Sequence, residues 1–232
     1  MKQFKHIKLL LTVLTLCLFS ITAYSHGVDE ETQKFLLGNN GIAFGPFLYI
    51  GAKHMITGYD HILFLIGVIF FLYKPKEILI YVSFFTIGHS LTLLFGVLFD
   101  LQINAFLIDA IIALSIVYKG FDNLNGFKQL FGKQPNTKIT VLIFGLFHGL
   151  GLATKIQEFG LNEDGLLINL LGFNLGVEIG QFLALGFVLL IISFWRRHKS
   201  FMYFSKTTNI LLMASGFVLL AFQLTGFYLS KF

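Results

Sequence analysis

Four histidines and two carboxylates lie within or at the mouths of long apolar runs: His54, Asp60, His61, His89, His148 and Glu178. A chargeable side chain at bilayer depth costs roughly 2.5–3.5 kcal/mol on insertion scales, so such residues face a protein interior and usually act there. Imidazole and carboxylate are the ligands that borderline divalent metals such as nickel, cobalt, zinc and copper take when no thiolate is at hand. The residue types therefore point to metal handling.

Spacing sharpens this. His54-Met-Ile-Thr-Gly-Tyr-Asp60-His61 runs without a break into Ile62–Tyr73. On a continuous helix, residues seven apart share a face but stand about 10 Å apart along the axis, too far to grip one ion together. Gly58, beside Thr57, allows the helix to break or bend so that the two imidazoles approach. Without a break, they are successive stations on a path. Asp60 and His61 are adjacent and point about 100° apart, so each is expected to find partners on other helices.

Further along, Thr86, His89 and Thr92 recur at spacings of three. The hydroxyls either orient the imidazole or satisfy a helix interface. His148 lies among Gly145, Gly149 and Gly151, which permit close helix approach. Asn174, Glu178 and Gln181 form an i, i+4, i+7 stripe that must face inward. Asp109 lies near the boundary of another apolar run and carries less weight.

The elements that must position these residues follow from composition. Hydrophobic residues make up 56% of the 232 and charged ones 12%, with 29 Phe, the balance of an integral membrane protein rather than a soluble domain. The net charge of +5 resides partly in a leader and partly in loops, so no nucleic-acid partner is implied. Residues 1–25 read as a cleaved signal peptide, with Lys2, Lys5 and Lys8, an apolar run from Leu9 to Ile21, and Ala23-Tyr24-Ser25. The single cysteine, Cys17, lies inside it, which leaves no thiol for disulfides or metal. Cleavage after Ser25 would place His26 at a new N-terminus, where α-amine and imidazole together form a potential chelate for copper or nickel.

Residues 26–56 are expected to form an extracytoplasmic segment and an interfacial helix. Residues 57–228 are expected to be an all-α polytopic domain of about six spans, near 57–73, 78–98, 103–120, 139–154, 166–195 and 207–228. Lys and Arg concentrate in the connections around Lys74 and Lys76, from Lys119 to Lys138, and from Arg196 to Lys206. The other connections, 100–104 and 155–164, hold only Lys155. The positive-inside rule then places the mature N-terminus outside a bacterial-type cytoplasmic membrane.

The motifs His54-x5-Asp60-His61, Phe85-Thr86-x2-His89-Ser90-x-Thr92, Gly145-Leu-Phe-His148-Gly149-x-Gly151 and Phe173-Asn174-x-Gly-x-Glu178-x-Gly180-Gln181 resemble, in order, those of the HupE/UreJ family. These are membrane proteins associated with metallocentre supply to hydrogenase and urease. His54, Asp60 and His61 also resemble the His-x4-Asp-His signature of the wider nickel/cobalt transporters, with a spacer one residue longer. The resemblance implies a permease for nickel, or cobalt, with metallochaperones or metalloenzyme maturation machinery as partners. Under that reading His54, Asp60, His61, His89, His148 and Glu178 handle metal, while Thr86, Thr92, Asn174 and Gln181 orient them. From the residues themselves two other readings stay open. One is a zinc-dependent intramembrane hydrolase with Glu178 as general base; the other is a haem protein with axial His pairs. No nucleotide-binding loop occurs, so ATP would have to come from a separate subunit.

Overall fold

The structure, a computed structural model, describes residues 41–158 and 164–231. The expected signal peptide, His26 and the acidic residues up to 40 lie outside the described residues. All regular structure among the described residues is helical: α1 Phe44–Thr57, α2 Tyr59–Ile69, α3 Pro75–Leu98, α4 Ala105–Asn123, α5 Gly126–Phe131, α6 Thr137–Glu158, α7 Leu166–Arg196 and α8 Ser200–Leu229.

Local chemistry sets several ends. Lys74 is extended and Pro75 opens α3, where a missing N–H costs nothing. The side chain of Asn104 caps α4 by accepting from the Leu107 amide at 3.3 Å. Gly132 ends α5 in the left-handed conformation at φ 69°.

Among the described residues, four helices are long and apolar enough to cross a membrane: α3, α6, α7 and α8. The other two expected spans are built differently. α4 has 19 residues but carries Asp109, Lys119 and Asp122. α2 has only 11 residues, short of the roughly 20 that a bilayer core requires. It is preceded by the 14-residue α1, and Gly58 is the only residue between them.

α1 packs on α7 in parallel. Gly172, Gly176 and Gly180 meet the backbone carbonyls of Phe44, Leu48 and Ala52 in register, so that a methyl at any of the three would run into that backbone. Sixteen residues beyond Gly180, Arg196 at the end of α7 donates to the carbonyls of Ile69 and Phe70. α1 thus follows the first part of α7, while α2 stands off from it across an apolar cavity lined by Ile62, Ile66, Leu183 and Phe187 and rejoins it at Arg196. Small residues that let backbones approach are the usual means of helix association in lipid, where no hydrophobic driving force acts between helices.

α3 and α6 also run parallel: Gly145 abuts the backbone of Phe85, Gly149 that of His89, and Gly96 the side chain of Ala153. α4 and α8 are antiparallel, with Gly120 against Asn209, Gly216 against Val117, and Gly226 against the Phe106 ring. These directions alternate consistently along the chain. They gather the Lys- and Arg-rich connections at one end, called the Lys74 end, and the turns near Asn104 and Gly165 at the other, the Asn104 end.

Two boundaries depart from the sequence reading. α8 begins at Ser200 rather than near 207, because Phe201 is buried and stacks on Phe70 at 5.1 Å between ring centres. α4 continues to Asn123, since Lys119 and Asp122 pair with each other at 2.5 Å and so enter the interior together.

Candidate metal-handling site

The break at Gly58 lies between two histidines, and it brings them together: the rings of His54 and His61 have centroids 5.0 Å apart. Gly58 itself has φ −71° and ψ 96°, a conformation open to any residue. Its requirement is spatial. A Cβ there would sit 2.9 Å from the His54 carbonyl oxygen, 2.9 Å from His61 Nδ1 and 3.2 Å from Asp60 Oδ1.

His61 is the hub. Beyond His54, its ring meets His148 of α6 at 4.8 Å and His89 of α3 at 6.1 Å between centroids. Phe64, Phe85 and Phe173 wall the group, Phe85 lying 5.0 Å from His148 and Phe173 6.3 Å from His54. His61, His89 and His148 are buried. Four helices therefore each contribute one imidazole to one aromatic-walled space.

His61 does meet rings on other helices, as expected, but Asp60 and His61 also engage each other, which the sequence reading did not anticipate. Asp60 Oδ1 lies 2.9 Å from His61 Nδ1, both residues buried. Both stand in the first turn of α2, where a short side chain turns back along the chain and a carboxylate is favoured by the helix dipole. The carboxylate fixes which ring nitrogen of His61 it engages and leaves Nε2 for another partner.

The polar atoms around this hub are left open. His54 Nε2, His61 Nε2, both nitrogens of His89 and Nδ1 of His148 are buried without a hydrogen-bond partner, as are both side-chain polar atoms of Asn174 and Nε2 of Gln181. Leaving a buried polar group unpaired costs about 1–3 kcal/mol. Such groups gathered at one place mark a candidate site for a ligand, an ion or ordered water.

The remaining sequence candidates take other positions. Thr86 donates to Gln181 Oε1 at 2.7 Å, tying α3 to α7. Thr92 donates to the Leu146 carbonyl at 2.6 Å, tying α3 to α6. Neither hydroxyl engages the His89 ring, so both stitch helices together. Glu178 shares a stripe with Asn174 and Gln181 but is only half-buried, whereas those two are buried. Among the described residues, no group of three or more His, Cys, Asp and Glu side chains converges in a geometry that could hold a metal ion. The imidazoles meet edge to face, at interplanar angles of 78°, 89° and 67° around His61.

Sequence reasoning missed three groups. Ser115 of α4 places its Oγ 3.3 Å from His148 Nε2. A lone serine in an apolar helix gives no signal, since its usual bond is to its own backbone. The ion pairs Lys155–Asp109 and Lys119–Asp122 are also buried. The i, i+3 spacing of the second was visible in the sequence.

A polytopic, all-helical membrane protein with a histidine cluster at a broken helix is the class these features define. The model of the HupE / UreJ protein family matches residues 30–231, and the chain belongs to that family, whose members are membrane proteins generally associated with nickel and cobalt transport. No curated protein and no solved structure matches it.

Proposed function

We propose that this protein is a permease for a divalent transition metal ion, nickel foremost and cobalt next. The ion would pass through the histidine cluster from the Asn104 end, taken as extracytoplasmic, toward the Lys74 end. One observation carries the reading: five imidazole nitrogens from four helices are buried without a partner around a helix break. Neutral imidazole nitrogens are the donors that nickel and cobalt favour. A discontinuous helix near the middle of a bundle is where transporters bind ions, because the break exposes backbone groups otherwise committed to the helix.

That the rings adjoin without forming a closed chelate supports passage over storage. An ion must be held well enough to enter and loosely enough to leave. Asp60 would offset charge and orient His61, while Glu178, half-buried on the α7 stripe, would serve an ion on its way to or from the rings. Asn174 and Gln181 would hold the ligands or their water. A metallochaperone or maturation protein at the Lys74 end would receive the ion.

The reading is tested by uptake of radioactive nickel into proteoliposomes, alongside equilibrium binding to the purified protein. His61→Ala should weaken binding by at least tenfold, about 1.4 kcal/mol, and reduce uptake in parallel. Unchanged binding and uptake in the folded variant would remove the cluster from the metal's path.

A further inference from the structure

The seam between α4 and α6 has a regular antiparallel register that connects the histidine cluster with the Asn104 end. Tyr118 meets Phe144 at 5.2 Å between ring centres. One turn outward, Ser115 meets His148. A further turn outward, a methyl on Gly151 would sit 2.8 Å from Ile112 Cδ1, and a turn beyond that Lys155 meets Asp109. The Lys155 Nζ stands 3.0 Å from Asp109 Oδ2 and 3.2 Å from Oδ1. The side chains are only 13% and 5% exposed, so the pair closes the seam rather than fringing it. It stands six residues, about 9 Å of helix, outward of the Ser115–His148 contact.

The second buried pair provides the contrast. Lys119 and Asp122 lie on the same helix, so their bond survives any movement of α4 relative to its neighbours. Asp109 and Lys155 are on different helices, and their bond must break if α4 and α6 part. A buried ion pair is weak as a source of stability, since desolvation offsets the Coulombic gain. What it supplies is a geometry that is either made or broken.

We propose that the Asp109–Lys155 ion pair is the latch that closes the histidine cluster toward the Asn104 end. In the closed state the Lys155 ammonium neutralises the carboxylate. An arriving divalent cation takes that carboxylate in its place and the seam opens toward His148. The proposal rests on the reading of the cluster as a metal path, and it assigns a role to a residue outside the cluster.

The experiment follows the accessibility of Ile112, which is 3% exposed and lies between latch and cluster. In the full chain bearing Cys17→Ser and Ile112→Cys, the rate of modification by a membrane-impermeant cationic thiol reagent is measured from the Asn104 end. The neutral pair Asp109→Asn/Lys155→Met removes both charges and strands neither, which protects folding. It should raise the modification rate at least tenfold. The reversed pair Asp109→Lys/Lys155→Asp should restore the slow rate. A neutral pair modified as slowly as the parent overturns the latch, and so does a reversed pair modified as fast as the neutral one. Nickel uptake is measured separately. A moved accessibility with no uptake in any variant, the parent included, would retain the latch and discard the permease reading, whereas normal uptake with unmoved accessibility would do the reverse.

Discussion

At Gly58, a single missing methyl group decides whether two imidazoles meet. Because the backbone there is ordinary, alanine would be tolerated conformationally, and its methyl would instead press on the His61 ring nitrogen and the His54 carbonyl, each 2.9 Å away. The ring cannot yield without disturbing its bond to Asp60. Gly58→Ala is therefore expected to leave helix content and membrane abundance unchanged while weakening nickel binding at least tenfold, measured by equilibrium dialysis. Binding equal to the parent would mean that the cluster tolerates displacement of its hub. The approach of His54 and His61 was legible in the sequence, since a glycine stood between histidines seven apart. The Asp60–His61 bond was not, because the 100° rule describes helix interiors and these residues open a helix. Ser115 could not be found by spacing either: its partner is 33 positions away.

At the scale of elements, glycine columns pair the helices. The four-residue spacing of Gly172, Gly176 and Gly180 is plain in the sequence, but its partner is not. α1 is too short to span, carries Lys53 and ends at a break, so hydropathy assigns it to the interface. Packing against α7 makes it the first half of a composite element with α2. Of the about six spans expected, α3, α6, α7 and α8 meet length and hydropathy alone among the described residues, whereas α4, with its buried charges, and the 11-residue α2 do not. Gly176→Val tests the packing, because even a methyl there runs into the Leu48 carbonyl. Overpacking of this kind costs about 1–3 kcal/mol. It should lower the temperature at which the purified protein loses its monodisperse profile. Gly186→Val, on the same helix with nothing within 4 Å of the added Cβ, should not. Equal losses in the two variants would show that close approach of α1 and α7 is not what Gly176 provides.

The whole molecule has a polar axis set by its charges. Lys74, Lys76, Lys128, Lys133, Lys138, Arg197 and Lys199 lie in or beside the connections at one end, together with the clamp by which Arg196 holds the end of α2. At the opposite end, Lys155 in the last turn of α6 has its charge taken up by Asp109, and Lys231 follows the end of α8. Translocation of Lys and Arg is resisted, so the end that gathers most of them should stay cytoplasmic. Lys128 is the best reporter, since it is exposed on the short helix α5 between two left-handed turns, where substitution disturbs no packing. With Cys17→Ser as background, Lys128→Cys should resist an impermeant thiol reagent added to intact cells and react fully once the membrane is opened. A cysteine in place of the exposed Gln102, at the Asn104 end, should do the opposite. Labelling of position 128 from outside intact cells would invert the molecule. The Asp109–Lys155 pair would then guard the cytoplasmic mouth, and the direction of metal movement proposed above would have to be reversed with it.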